Sequence, residues 1–167
     1  MNLIYYPNSF LDKQVKDFDI ENPSVDPKEL KKNMVQIMLD SNGIGLSANQ
    51  VEFDGQVFVM GDKEDNATIC INPKILQHTK ETVMDIEGCL SFPGIYVNVT
   101  RPKEILAEWY DENLEKQTVK VSGYSAKCFL HEWDHLQGIT FKDRVSRLKW
   151  NMAVKKAKKA GRNVPMA

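Results

Sequence analysis

The chain has 167 residues, which suits one compact domain (1–167) with a sizeable core, and its formal net charge is -1. A balanced charge excludes a general electrostatic attraction to DNA or membranes, and neither a signal peptide nor a membrane-spanning run is recognisable. The three cysteines, Cys70, Cys89 and Cys128, are an odd number at wide spacing, without a disulfide pattern. We therefore expect a cytoplasmic protein in a reducing compartment, where a cysteine is more often buried, metal-bound or catalytic.

The first predicted element is a helix within SVDPKELKKNMVQIMLDSNG (24–43). Asp26 is the candidate N-cap, Pro27 the first helical residue, and Gly43 lies just beyond the end. One face of this helix carries apolar side chains at helical spacing, and these predict an ordinary core stripe: Leu30, Met34, Ile37 and Met38.

The middle of the chain is rich in strand-like segments, namely QVFVMG (56–61), ATICIN (67–72), IYVNVT (95–100), EILAEWY (104–110) and QTVKVSG (117–123). The last two flank a polar turn typical of an antiparallel hairpin. A second helix fits residues from about Ser125 to Gln137, and a third, basic helix fits the C-terminal residues 146–161. The pattern predicts an α+β fold of short antiparallel strands packed around a central helix, with an N-terminal and a C-terminal helix.

The central helix contains the stretch CFLHEWDHLQG, which holds two of the three histidines of the chain. His131 and His135 are four residues apart, so both imidazoles lie on one helix face and are predicted to bind a metal ion. Glu132 projects beside this face, where a carboxylate accepts a proton from water in metal-dependent hydrolysis. The alternative is a pair of helical histidines held by ordinary hydrogen bonds.

A third protein ligand is needed, because a catalytic divalent metal typically has three such ligands and one open position. No histidine or glutamate follows His135, so the zinc proteases that take this ligand from downstream are not matched. Upstream candidates are Cys128, Cys89, Cys70, His78 and several carboxylates. Cys128 lies about 7.5 Å along the helix axis from the midpoint of the pair, beyond comfortable reach. Cys89 lies in a bend bounded by glycine and proline that suits a ligand, but spacing alone leaves the choice open.

Three separated motifs resemble those of the peptide deformylases. GIGLSANQ (43–50) is similar to the family's Gly-any-Gly-any-Ala-Ala-any-Gln, EGCLS (87–91) matches the second motif, and HEWDHLQG (131–138) matches the third. They occur in the family's order and spacing, and the likeness extends over nearly the whole chain. There are two departures. Ser47 replaces an alanine, which we expect to be tolerated, and Leu130 replaces a glutamine, which predicts a missing polar contact beside the site.

The resemblance implies a metal-dependent hydrolase that removes the N-formyl group from the initiator formyl-methionine of nascent polypeptides and releases formate. The ligands that it implies for one divalent ion are Cys89, His131 and His135. Glu132 would take a proton from the attacking water and pass it to the departing amine. The Gln50 side-chain amide and the Leu90 backbone N–H would stabilise the negative charge that develops on oxygen.

The substrate contacts that the resemblance implies are Gly43, Ile44, Gly45, Gly88 and Cys128. The backbone at Ile44 and Gly45 would pair with a peptide as a strand edge does, and Cys128 would lie near an apolar slot for methionine. A tight pocket around the metal would exclude acyl groups larger than formyl. An ion pair between Glu87 and Arg101 would steady the loop of Cys89.

The native metal implied by the resemblance is iron(II), although the ligand types also suit zinc, nickel or cobalt. The implied partners are N-formylmethionyl peptides, and we expect a monomer. The basic C-terminal helix is either a solvated surface helix or a contact with ribosomal RNA through its lysines. Two other functions stay open: a metalloprotease or general amidase, and a non-catalytic module that binds metal or nascent chains.

Overall fold

The computed structural model describes residues 1–164, so the last three residues of the predicted domain, 165–167, lie outside the described part. It contains three α-helices and seven strands. The helices are α1 Pro27–Asp40, α2 Gly123–Leu136 and α3 Arg147–Lys159. The strands are β1 Gly45–Ser47, β2 Val57–Met60, β3 Thr68–His78, β4 Thr82–Cys89, β5 Phe92–Pro102, β6 Glu104–Tyr110 and β7 Lys116–Ser122. None of the helices in residues 1–164 has the length and apolar character needed to span a membrane.

The strands form two antiparallel sheets, one of five strands in the order β1-β2-β3-β6-β7 and a second of β4 and β5. Helix α2 contacts strands of both sheets, including β1, β2, β7 and β5. The predicted α+β fold with a central helix is confirmed. Its N-terminal and C-terminal helices are α1 and α3.

Helix α1 begins where its sequence predicts, but it ends at Asp40, and the left-handed residue that follows is Asn42 (φ 57°) rather than Gly43. The Asp26 side chain accepts a hydrogen bond from the Lys28 backbone N–H, and Pro27 occupies the first turn. The predicted core stripe is confirmed, since three of its four residues are fully buried and the fourth, Ile37, is half-buried against the core. The three buried residues are Leu30, Met34 and Met38.

The sequence pattern does not predict two of the strands, β1 and β4. Strand β1 has only three residues, all buried, so it shows no alternation. Strand β4 was missed for the opposite reason. Its side chains from Thr82 to Ile86 are all exposed, so buried and exposed positions do not alternate there. The sequence placed Cys89 in the bend between two strands. In the structure Cys89 is the last residue of β4 and pairs with Phe92 across the hairpin, and the bend itself is limited to residues 90–91.

Strand β5 anchors α3 through a second, smaller core. Its inward side chains pack against Phe141 and Trp150, and the rings of Phe92 and Trp150 meet edge to face with centroids 5.8 Å apart. Trp150 is 6% exposed, whereas Leu148 on the same helix is 71% exposed. The attachment of α3 therefore depends on a few aromatic contacts rather than on a broad apolar face.

We predict that Trp150→Ala lowers the free energy of unfolding by about 3 kcal/mol, because a large ring is removed from a closed aromatic cluster. Urea unfolding followed by circular dichroism measures this loss. The matched control Leu148→Ala, at an exposed position of the same helix, should change the value by less than about 0.5 kcal/mol. Equal losses in both variants would contradict the role given to the second core.

Candidate metal centre

Helix α2 brings the two histidines of its motif to one place. The helix is buried over most of its C-terminal half, and the ring centroids of His131 and His135 are 5.0 Å apart. His135 is completely buried, and His131 is 8% exposed. Both rings are therefore surrounded by protein rather than by solvent.

The third predicted ligand reaches the same point from the hairpin of β4 and β5. The Cys89 Sγ lies 3.3 Å from the His135 Nε2, and the ligand atoms of Cys89, His131 and His135 all lie within 4.8 Å of one another. Two nitrogens and one sulfur at this separation fit a single ion with bonds of about 2.0–2.3 Å and an open fourth position. These residues can therefore hold one divalent metal ion.

The other candidate third ligands lie elsewhere. Cys70 is fully buried in the main hydrophobic core, and burial raises the pKa of its thiol well above the usual value. His78 is exposed at the end of β3. The Cys128 Sγ points to the Ile44 backbone carbonyl, 3.5 Å away. Only Cys89 among these is grouped with the two histidines in the described part of the chain.

A buried carboxylate orients the first histidine. The Glu87 Oε2 accepts a hydrogen bond of 2.9 Å from the His131 Nδ1, which leaves the His131 Nε2 facing the ligand cluster. Arg101 holds Glu87 through two hydrogen bonds of 2.5 and 2.9 Å. Burial opposes ionisation of Glu87, but the hydrogen bonds from Arg101 and His131 outweigh it and lower its pKa to about 2. Glu87 is therefore a carboxylate at neutral pH.

The ion-pair chain continues away from the ligands. The Arg101 Nη1 also donates to the Asp134 Oδ2 at 2.8 Å, and the Arg144 Nε donates to the same oxygen at 2.9 Å. Asp134 is only 2% exposed, so its charge is balanced by two guanidinium groups rather than by solvent. This series of ion pairs therefore joins the β4–β5 hairpin, α2 and the segment before α3.

The Glu132 carboxylate lies beside the ligand cluster and is 4% exposed. Burial raises its pKa to about 7, although the nearby His131 acts in the opposite direction. Its Oε2 has no hydrogen-bond partner among the described residues. A carboxyl group with this pKa exchanges a proton readily near neutral pH.

Glycine at position 45 leaves room for the close approach of α2 side chains. A Cβ there would lie 2.5 Å from the Glu132 Oε1 and 2.9 Å from the Cys128 Sγ. At Gly43 a Cβ would lie 2.6 Å from the Leu90 Cδ1, and at Gly88 it would lie equally close to the Tyr96 ring. The predicted glycines therefore bring the backbone of β1 and the β4–β5 hairpin against the site.

The Gln50 side chain closes the cluster from the other side. It is 1% exposed, its Nε2 donates to the Ser91 Oγ at 3.0 Å, and the same nitrogen lies 3.6 Å from the Cys89 Sγ. An amide N–H is therefore held beside the ligand atoms, as a donor to a developing oxyanion must be.

A cleft of about 660 Å³ opens onto this cluster. Ten of the eleven predicted site residues line it, and His135 lies buried beneath; the ten are Gly43, Ile44, Gly45, Gln50, Gly88, Cys89, Leu90, Cys128, His131 and Glu132. Leu130 does not line the cleft but packs in the main core, so the predicted missing polar contact falls at a core position. Phe129, on the same helix, also lies in that core.

Sequence reasoning missed several residues of the cleft wall. Leu3 and Tyr5 line it because the N-terminal segment bonds to the site, with the Ile4 N–H donating to the Gln50 carbonyl. Ile86 and Tyr96 contribute apolar side chains from β4 and β5. Both side chains are exposed, and two large apolar side chains on the solvent side of a hairpin indicate a binding surface. Only the structure gives this signal, because the sequence does not show which side chains stay exposed.

Together, the antiparallel fold, the Cys-His-His ligand set and the buried glutamate define a class of enzyme that hydrolyses bonds at a single divalent metal. The sequence profile of the family described as Polypeptide deformylase matches residues 1–151. The peptide deformylase of Neisseria meningitidis is 39% identical over 161 residues, which is 95% of both chains, and that of Borreliella burgdorferi is 38% identical over 86% of both. A crystal structure of the Synechococcus elongatus peptide deformylase in complex with actinonin superposes with a TM-score of 0.83 at 36% identity, over 95% of this chain and 86% of that one.

The chain belongs to the polypeptide deformylase family. The resemblance drawn from the three motifs is confirmed, and with it the expectation that the protein is an enzyme with deformylase activity.

We predict that Glu87→Gln lowers the affinity for zinc by about 10- to 100-fold, because a neutral amide orients the His131 imidazole less firmly than a carboxylate. Competition with a chromogenic chelator measures the affinity without relying on turnover. Asp85→Asn is the matched control, since Asp85 is exposed on the same strand and, among the described residues, forms an ion pair with Lys127 and accepts a hydrogen bond from the neighbouring Ile86 N–H. A similar loss in both variants would contradict the assigned role of Glu87.

Proposed function

We propose that the chain hydrolyses the formamide bond of N-formylmethionyl peptides and releases formate. The observation that carries this proposal is the grouping of three metal-ligating side chains, a buried carboxylate and an amide donor at one end of a single cleft. Membership of the deformylase family supports it. The ligand set Cys89, His131 and His135 is proposed to hold one divalent ion.

Such an ion, when bound, acts as a Lewis acid and makes water acidic enough to attack at neutral pH. Glu132 takes the proton of the attacking water on its carboxylate and delivers it to the departing amine. The Gln50 Nε2 and the Leu90 backbone N–H donate to the oxygen of the formyl group as it becomes negative. Ligation, proton transfer and oxyanion stabilisation are thus divided among three segments of the chain.

The peptide is proposed to lie along β1, which is an edge strand of the five-stranded sheet. One side of β1 pairs with β2, so its other side can pair with an extended peptide near Ile44 and Gly45. Gly43 and Gly88 leave room for the backbone, and Cys128 lies where the methionine side chain enters. The crowding at Gly45 supports a site that accepts formyl and rejects larger acyl groups.

Iron(II) is proposed as the native ion, with zinc, nickel or cobalt as replacements, since thiolate and imidazole ligands accept each of these. Formylated peptides are products of translation, so the proposed place of action is the cytoplasm. We also propose that the protein is a monomer.

We predict that the iron-loaded protein, kept free of oxygen, releases formate from formyl-Met-Ala-Ser, and that Glu132→Gln lowers kcat by at least about 100-fold. The amide keeps the shape of the side chain but accepts no proton. Formate is measured with a coupled dehydrogenase, and metal content is measured in both proteins. No formate from a metal-loaded wild type would reject the proposal, and cleavage of unformylated peptides would favour the amidase.

The C-terminal helix is proposed as a contact with ribosomal RNA. Helix α3 is held to β5 through Trp150 and Ala157, and four of its five lysines are exposed; these are Lys155, Lys156, Lys158 and Lys159. A cluster of cations free to meet phosphates supports this proposal.

We predict that changing the four lysines to glutamine abolishes co-sedimentation with ribosomes at low salt, while turnover of a free formyl peptide stays within about twofold. Wild type in rising salt provides the control, since phosphate contacts weaken as salt increases. Unchanged co-sedimentation of the variant would reject the contact.

A further inference from the structure

Ser47 stands where the family motif has alanine, and its hydroxyl forms hydrogen bonds beside the ligand cluster. The residue is fully buried at the end of β1. Its Oγ lies 2.8 Å from the Asn49 Oδ1 and 3.0 Å from the Gln50 Oε1. The Ser47 backbone N–H donates to the same Gln50 oxygen at 3.0 Å.

A serine hydroxyl has one proton, and here it faces two amide oxygens that have no proton to offer. Two oxygen atoms this close repel each other unless a proton lies between them. The Ser47 hydroxyl proton is therefore shared between the Asn49 Oδ1 and the Gln50 Oε1. The Asn49 Nδ2 in turn donates to the His135 backbone carbonyl. The hydroxyl therefore ties the Gln50 amide to the last turn of α2.

The two ends of the Gln50 amide meet opposite partners. The oxygen end receives the N–H and O–H of Ser47, and the nitrogen end donates to Ser91 and points towards Cys89. A flipped amide would place its N–H groups against the Ser47 N–H. With alanine at position 47, one donor to the oxygen end would remain instead of two.

We propose that Ser47 is a positioning residue, whose hydroxyl fixes the orientation of the Gln50 amide towards the ligand cluster. The proposal rests on the proposed function only for its kinetic consequence, because the hydrogen bonds themselves exist without substrate. A donor fixed in advance stabilises a transition state without reorganising during the reaction. The departure from alanine therefore strengthens the oxyanion donor of this chain.

The kinetic test compares Ser47→Ala with wild type in the metal-loaded protein. Loss of one hydrogen bond to Gln50 should lower kcat by about 3- to 10-fold, with KM nearly unchanged. In a Gln50→Met background the same substitution should change kcat by less than about twofold, because nothing remains to be positioned. An equal loss in both backgrounds would overturn the proposal.

Ser146→Ala is the matched control, since it removes a hydroxyl that caps α3 far from the cleft. It should leave kcat unchanged while reducing the melting temperature. If Ser146→Ala lowers kcat as much as Ser47→Ala does, the effect reflects stability and the proposal is wrong.

A second readout needs no turnover. In the zinc-loaded protein, the side-chain amide signals of Gln50 are identified by NMR through their loss in Gln50→Met. They should exchange slowly with solvent in wild type and at least several-fold faster in Ser47→Ala. Unchanged exchange would overturn the proposal. Faster exchange together with a wild type that releases no formate would reject the proposed function and support the positioning role.

Discussion

The buried chain of charges from Glu87 through Arg101 to Asp134 is the constraint on which the site depends. Each of these groups would be costly to bury alone, so each must find its partner as the protein folds. The partners lie on different elements: Glu87 on β4, Arg101 on β5 and Asp134 on α2. These ion pairs hold the β4–β5 hairpin at a fixed position along the axis of the central helix α2. The Cys89 thiol at the end of β4 is thereby placed 3.3 Å from the His135 imidazole on α2.

The docking of the β4–β5 hairpin on α2 also explains why backbone, rather than side chains, lines the cleft where β1 borders it. With α2 held in place, a Cβ at Gly45 would collide with the Glu132 carboxylate and force it to move. A strand that lies this close to the Glu132 carboxylate can present its own backbone N–H and C=O groups to a ligand. The lining of the cleft therefore includes part of an edge strand, a form suited to extended peptides.

Much of this arrangement follows from the sequence, and the failures have physical causes. Helix α1 carries its own cap and proline, and the spacing of His131 and His135 defines one helix face, so both were predictable locally. The third ligand was not, because Cys89 is 42 residues from His131 and only the family likeness chose it over other cysteines. Strand β4 was missed because its side chains from Thr82 to Ile86 are exposed on both faces of the strand, which leaves no period-two pattern of burial. The contribution of Tyr5 to the cleft depends on long-range backbone pairing of the N-terminal segment, which leaves no mark in local sequence.

The two departures from the family motifs look alike in sequence and differ in structure. Leu130 replaces a polar residue, yet it packs in the main core, where burial of an apolar side chain is itself favourable. Ser47 replaces an apolar residue and lies in a polar pocket, where its hydroxyl faces two amide oxygens. A buried hydroxyl is costly unless it is hydrogen-bonded, and here both of its neighbours accept. A small change therefore matters according to what it faces: Leu130 adds only to packing, whereas Ser47 adds a donor at the oxygen end of the Gln50 amide.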